Sequence, residues 1–428
     1  MAATIPLQIH DPYAALRYRD FRLFIIGRFI ATLGEQMVTV AIGWELYERT
    51  NSELALGLVG LVEVLPVLVL ALPAGHVADR FVRKYVIMGM EGLLMLCMLG
   101  LAVISYTHGP LPLIYLCLLC LGISSAFNSP ASSAFLPQTI PAEMFSNAAT
   151  WNSTAWQLAS VIGPALGGVI IALQGSVHVG IGPFVYTLSR SAGPVYLVEA
   201  IAASLAVMMV FMTRTRQIPR AREATSLRSL AAGVSFVRRT KVFLAAITLD
   251  MFAVLLGGAT ILLPVFAKDI LAVGPTGLGW LRAAPSIGAV LMAITIAHRP
   301  PFKRAGRVLL IAVAGFGIAT IIFGLSRSFL LSVAMLAALG ALDNISVVIR
   351  GTLLLVKAPD EVRGRVAAVN SMFIGTSNEL GGFESGLTAQ LFGPVISVVG
   401  GGIGTLLVVL GVAWLWPEIR QLGELKPD

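Results

Sequence analysis

Apolar windows long enough to cross a membrane recur along this chain at about 21–47, 54–74, 85–106, 111–136, 148–173 and 192–213. A second set falls at about 242–267, 277–297, 307–326, 329–355, 367–392 and 395–416. A helix rises 1.5 Å per residue, so each window suffices for a hydrocarbon layer of about 30 Å. Backbone groups inside that layer must be satisfied within the segment itself. The pattern therefore predicts an all-α integral membrane protein with twelve transmembrane helices in two groups of six. Between the groups lies the longest polar stretch, 214–241, with Arg214, Arg216, Arg220, Arg222, Arg228, Arg238, Arg239 and Lys241. Within it Leu227, Leu230, Val234 and Val237 recur at helical spacing, as in an amphipathic helix lying on the membrane surface. The expected organisation is a six-helix half over 1–213, a cytoplasmic linker over 214–241 and a second six-helix half over 242–428.

Composition agrees with this pattern. Of 428 residues, 57% are hydrophobic and 12% charged, with a mean hydropathy of +0.87, whereas soluble domains carry roughly 25% charged residues. The net charge of +8 could suggest a nucleic-acid partner. However, the cations sit in short clusters between apolar runs, where the positive-inside rule places them, so no nucleic acid is expected and the bilayer is the partner. With the N-terminus inside, the inner loops collect Arg80, Arg83, Lys84, the central cluster, Arg299, Lys303, Arg304, Arg307, Lys357, Arg363 and Arg365. The outer loops hold only Arg49, Arg190, Lys268 and Arg327, with Arg282 near the outer end of span eight. Both termini are expected in the cytoplasm, the N-terminus uncleaved because no signal-peptide pattern precedes the first span. Cys97, Cys117 and Cys120 all lie in apolar spans and read as packing residues rather than as disulfide or metal sites.

The chain repeats internally. Pro141-Ala-Glu143 with Asn152-Ser153 matches Pro359-Asp-Glu361 with Asn370-Ser371 at an offset of 218 residues, and at the same offset Gly163 falls on Gly381 and Gly168 on Gly386. Leu56-Gly57 and Leu278-Gly279 open the second and eighth spans alike. Two halves in the same orientation follow, with a substrate path expected along their interface near mid-membrane.

Charges inside spans are costly and point to function. In span one, Arg28, Glu35 and Thr39 fall on one stripe with Thr32 nearby. Glu35 and, in the equivalent span seven, Asp250 both lie near mid-depth, so the two carboxylates could face one cavity. An Arg28–Glu35 ion pair would have to bridge about 10 Å along the helix axis. In span eleven Asn370, Ser377 and Glu384 share a face, while Glu379 points nearly opposite. Arg28, Glu35, Asp250 and Glu384 are the cavity candidates; Asp343, Arg350, Asn378 and Glu379 read as a polar network holding the fold. Glu63 and Glu91 are further candidates that nothing in the sequence ranks. The five histidines lie at span ends or in loops, so neither a metal site nor a histidine relay is expected. No phosphate-binding GxxxxGK[ST] loop or catalytic constellation occurs, so no cofactor is called for and an enzyme is not expected.

Two motifs carry a resemblance. Gly75-x3-Asp79-Arg80-x2-Arg83-Lys84 joins spans two and three, and Gly163-Pro164-x2-Gly167-Gly168 lies in span five. Ala159, Gly163 and Gly167 form a small-residue stripe suited to close helix contact. The charged loop resembles the signature loop of the major facilitator superfamily, although Val82 stands where that family often has glycine and the second half has lost the aspartate. The GPxxGG run is similar to the family's exporter motif. The chain as a whole resembles the bacterial drug:proton antiporter branch that includes siderophore and macrolide exporters. The resemblance implies a cytoplasmic gate at Gly75, Asp79, Arg80, Arg83 and Lys84, the aspartate contacting the other half in the outward-open state. It also implies a monomer in the bacterial inner membrane that exports amphipathic small molecules in exchange for protons. Import by proton symport, or a non-transporting receptor or assembly factor on the same fold, are the alternatives.

Overall fold

The computed structural model describes residues 11–173, 177–181, 184–188, 191–214 and 235–425. The proposed surface helix around Leu227, Leu230 and Val234, the central cations Arg216, Arg220, Arg222 and Arg228, and Arg190 lie outside the described residues.

Twelve long helices follow the apolar windows. They are α1 (Arg19–Thr50), α2 (Glu53–Arg80), α3 (Arg83–Thr107), α4 (Leu111–Phe135), α5 (Phe145–Ala172) and α6 (Gly193–Phe211). The second set is α7 (Lys241–Leu256), α8 (Gly274–Ala297), α9 (Ala305–Leu325), α10 (Phe329–Lys357), α11 (Asp360–Phe392) and α12 (Pro394–Leu415), with a short α13 (Pro417–Gln421) behind them. Eleven of these spans are long and apolar enough to cross a bilayer by themselves. The exception is α11, whose acids and amides lower its hydropathy. It packs among α2, α7 and α12 instead of standing alone in lipid.

Local chemistry sets the boundaries. The α1–α2 turn needs only two residues: Asn51 takes the left-handed conformation at φ 45°, and the Ser52 side chain accepts the Ala55 amide at 3.3 Å, satisfying one of the orphan donors of the new helix. Span seven is not one helix, as its apolar window suggested. Gly257-Gly258 ends α7, a 3-10 turn covers Ala259–Leu262, and a π turn covers Phe266–Ile270. Paired glycines, with Pro264 following, weaken the helical ladder there, and tighter turn bonds, Ala259 N to Gly257 O at 2.7 Å and Leu263 N to Thr260 O, replace it. The fold also departs from a purely helical reading in one hairpin between α5 and α6. Here β1 (Val177–Ile181) pairs antiparallel with β2 (Phe184–Leu188), Val177 opposite Leu188. Both segments are rich in β-branched and aromatic residues, with Gly182-Pro183 between them in sequence.

The packing of the first six helices recurs in the second six. α1 packs on α5 and α6, α2 on α4, and α3 on α4 and α6; α7 packs on α11 and α12, α8 on α10, and α9 on α10 and α12. The halves meet through two equivalent crossings, α2 with α11 and α5 with α8. Both described ends lie on one face, where the Arg19 guanidinium bonds Met212 O at 3.1 Å and Ala305 N bonds Gly423 O at 3.2 Å. We call this the terminal face and its opposite the far face.

The halves join at the far face and part at the terminal face. One continuous apolar core runs through both halves on the far side, from Leu46, Leu56 and Ile104 to Phe266, Leu278 and Phe323. On the terminal side the cores are separate: Phe24 with Phe135 and Phe21 with Ile140 in the first half, Phe243 with Ile349 in the second. Hydrogen bonds reinforce the far seal. Lys268 Nζ donates to Asn51 Oδ1 at 2.8 Å, Ser52 Oγ to Gln390 Oε1 at 2.9 Å, and Tyr47 OH to the Asp269 carboxylate.

Candidate functional site: a cavity between the halves

A cavity of about 880 Å³ lies between the halves, from Gly75 and Val210 near the terminal face to Leu56 and Ile261 beneath the far seal. That volume suits a drug-sized molecule. Outside the cavity wall the halves cross at glycines. A Cβ on Gly57 would stand 3.1 Å from Gly386 Cα, and one on Gly168 would stand 3.0 Å from Gly279 Cα, closer than ordinary side-chain packing allows. The four glycines are the repeat partners noted in the sequence, and they let the backbones of the two halves touch.

Most of the cavity wall is apolar, but seven ionisable side chains interrupt it: Arg28 and Glu35 on α1, Glu63 on α2, Glu91 on α3, Glu199 on α6, Arg282 on α8 and Glu379 on α11. Glu35 is about 24 Å along α1 from Arg19, deep in the molecule, yet its surface is open because it faces the cavity. Behind it, Glu91 is buried and accepts from Asn128 Nδ2 at 2.8 Å, with Ser132 donating to Asn128 Oδ1 at 3.1 Å; the second Glu91 oxygen has no partner. Glu199 is 0% exposed and neither of its oxygens has a hydrogen-bond partner. It occupies the space that a Cβ at Gly34 would need, so a glycine on α1 admits this carboxyl from α6. Arg28 is within electrostatic range of Glu35 and Glu91. Arg282 is in range of Glu379 and Glu63 and donates to Thr260 O at 3.1 Å, a carbonyl in the 3-10 turn after α7 that also accepts from Leu263 N.

Several expected roles are redistributed. Asp250 does not line the cavity. Its Oδ2 is 2.7 Å from Arg350 Nη1, both side chains are 7% exposed, and Arg350 Nε donates to Ser346 at 3.2 Å with Asp343 nearby. The network read around Asp343 and Arg350 is thus completed by Asp250, tying α7 to α10. Glu379, read as part of that network, instead faces the cavity, and Asn378 is exposed and bonds its own helix at Ile374 O, 3.0 Å. The cavity face of α11 is the Ser371–Gly375–Glu379 side, so Glu384 lies off it. Arg28 and Glu35 share the cavity without forming an ion pair. Arg282 and Glu199 were not singled out as site residues, although a lone charge inside an apolar window is the signal that marks both.

The charged loop between α2 and α3 is anchored within its own half. Arg83 reaches Ala78 O at 3.1 Å, Ala134 O at 3.2 Å and Asp79 at 3.9 Å; Lys84 Nζ donates to Phe211 O at 2.7 Å and Thr213 O at 2.8 Å. Lys84 thereby caps the negative C-terminal end of α6. Asp79 and Arg80 are exposed at the parted terminal face. In span five, Gly163 and Gly167 press on the α1 backbone at Leu33 and Met37, while Gly168 presses on α8. The GPxxGG run therefore welds α5 to its own half and to the other one.

Two six-helix halves around a central cavity sealed on one face are the architecture of a secondary transporter of the major facilitator type. The chain belongs to the transmembrane secretion effector family of that superfamily, whose model matches residues 10–421. Among curated relatives it is 25% identical over 409 residues to the enterobactin exporter EntS of Escherichia coli O1:K1 / APEC and to that of Shigella boydii serotype 18, covering 95% of this chain and 94% of each relative. Among solved structures it is similar to a bacterial homolog of the human lysosomal transporter Spinster, inward-facing and occupied, with a TM-score of 0.76 at 15% identity over 98% of this chain and 100% of that one. The D-xylose–proton symporter aligns with a TM-score of 0.64 at 16% identity over 94% of this chain and 100% of that one. The protein is a multi-pass membrane protein that moves a small molecule.

Proposed function

We propose that this protein is a proton-coupled exporter of amphipathic small molecules, working as a monomer in the bacterial inner membrane with both termini in the cytoplasm. In this reading the terminal face is cytoplasmic, the halves span 1–213 and 242–428, and 214–241 links them. The observation that carries the proposal is the cavity itself: apolar-walled, sealed at the far face, and holding Glu35 open to its interior. Protonation of Glu35 from outside would remove the charge of the one carboxylate that stands open to the cavity and ease the rocking of one half against the other. Asp250 would first have to break its pair with Arg350, so coupling is assigned to Glu35. Export rather than import is supported by the resemblance of the enterobactin exporters and by the GPxxGG run. Asp79 would gate the cytoplasmic side once the terminal face closes.

The test is efflux from cells stripped of their own exporters and loaded with siderophores, macrolides or dyes. Expression of this chain should speed efflux, and a protonophore or Glu35→Gln should reduce it at least tenfold. Uptake instead of efflux would replace export by symport. Efflux indifferent to both the protonophore and Glu35→Gln would sink the proton coupling.

A further inference from the structure

The two halves use the cations of their terminal face differently. At the offset that sets Leu56 on Leu278 (278 − 56 = 222), His76 falls on His298, Asp79 on Pro301, Arg83 on Ala305 and Lys84 on Gly306. In the first half Arg83 and Lys84 are taken up within the protein, on carbonyls of α2, α4 and the end of α6. In the second half those positions carry no charge, and the Ala305 and Gly306 amides donate to Gly423 O and Leu422 O, each at 3.2 Å. A Cβ on Gly306 would overlap Ile419 O, so this glycine lets α13 lie directly across the start of α9. The cations of this corner stand elsewhere: Arg299, Lys303, Arg304 and Arg307, with Arg420 brought beside them by α13. All five are exposed, and among the described residues none forms an ion pair. Glu418 of α13 is held by Lys241 at 2.7 Å, and Glu424 is the one other carboxylate among the described residues of this corner. The corner is therefore strongly positive.

An apolar outer surface continues from it. On α9, Arg307 is in line with Ile311, Ile318 and Ile322, four and seven residues apart and all exposed, while Leu309 and Leu310 turn inward. On the neighbouring α12, Leu407, Leu410 and Trp414 are exposed in the same way, and tryptophan favours the headgroup level of a bilayer. We propose that Lys303, Arg304, Arg307 and Arg420 form a binding site for an anionic phospholipid of the cytoplasmic leaflet. Its phosphate sits among the cations and its acyl chains run along α9 and α12. The choice of leaflet rests on the proposed orientation of the terminal face; the match of charge and apolar surface does not. Guanidinium groups hold phosphate through paired N–H donors, and each cation near the surface favours an anionic lipid about fivefold. The bound lipid ties the loop between α8 and α9 to α13, and so stiffens the second half at the face where the halves part.

Two lipids that differ only in the headgroup, dioleoylphosphatidylglycerol and dioleoylphosphatidylcholine, test the site. Each is titrated into the purified full chain in detergent, and bound lipid is counted by native mass spectrometry. Phosphatidylglycerol should bind saturably and about tenfold more tightly than phosphatidylcholine. Lys303→Gln, Arg304→Gln and Arg307→Gln together should remove most of that preference. Arg80→Gln, which removes an exposed cation of the same face in the first half, should leave it within about twofold. If the triple variant fails a thermal-unfolding check, Arg307→Gln and Arg420→Gln replace it singly, each expected to cost several-fold. Excess glycerol phosphate, against chloride of equal ionic strength, should not displace the lipid; displacement would make this a site for a soluble anion and overturn the lipid assignment. Equal binding of the two lipids, or a preference that survives the variants, overturns the site. So does an equal loss in Arg80→Gln, which would mark general attraction to the positive face. The assay involves no transport, so its failure leaves export standing, and failure of efflux in cells leaves the lipid site standing.

Discussion

Asp250 and Glu35 show how differently two carboxylates deep in their helices can be used in one molecule. Both Asp250 and Glu35 sit deep in their helices, but Asp250 meets a guanidinium at 2.7 Å and Glu35 meets open space. Removing one partner of a buried pair leaves the other charged and desolvated, a loss of about 3–5 kcal/mol. Arg350→Ala should therefore lower the unfolding temperature of the purified protein far more than a surface change such as Lys303→Ala. The double variant Asp250→Asn with Arg350→Gln should recover much of that loss, because the two sites are in contact and their effects are not additive. Equal shifts for Arg350→Ala and Lys303→Ala would show that the pair does not hold α7 to α10.

Helix contacts decide what each element can tolerate. The halves touch where Gly57 meets Gly386 and Gly168 meets Gly279, so backbone stands against backbone with no room for a branched side chain. Gly386→Leu forces an overlap typically worth about 1–3 kcal/mol of strain. The strain acts on the far-face-closed state, because that is where the two helices meet. Transport should fall sharply while the folded amount in the membrane changes little. Substitution at Gly400, whose Cβ would meet nothing within 4 Å, should be nearly silent in the same cellular efflux assay. The break after α7 belongs to this scale too. The 3-10 turn that follows Gly257-Gly258 carries the Thr260 carbonyl that accepts from Arg282, which links a local weakness in one helix to a cation in the cavity wall.

At the scale of the whole molecule, the asymmetry between faces is the working feature. A shared apolar core and the Tyr47–Asp269, Lys268–Asn51 and Ser52–Gln390 bonds close the far face, while the terminal-side cores are independent. Each such hydrogen bond is worth about 1 kcal/mol net, roughly fivefold in a two-state equilibrium. Tyr47→Phe combined with Gln390→Ala should therefore shift the population toward far-face opening. The readout is a cysteine placed at Ile261 in a background lacking Cys97, Cys117 and Cys120, probed with a membrane-impermeant maleimide from the far side. Labelling should quicken several-fold in the double variant. An unchanged rate would mean that the apolar core alone holds the seal.

The sequence determined the number and order of spans, the two-fold repeat and the class of protein, because hydrophobic run length, loop charge and glycine spacing are local properties that the bilayer reads directly. The loop Gly75–Lys84 and the GPxxGG run were legible for the same reason. It also marked Glu35, a charge in an apolar helix. Periodicity within one helix gives only relative directions, so it could not say that Asp250 finds Arg350 from α10, that Glu379 rather than Glu384 faces the cavity, or that Glu199 fits beside Gly34. Those partners come from helices far apart in the chain. Only the packing of α1 against α6, α7 against α10 and α2 against α11 decided which buried charges are neutralised and which remain for a substrate.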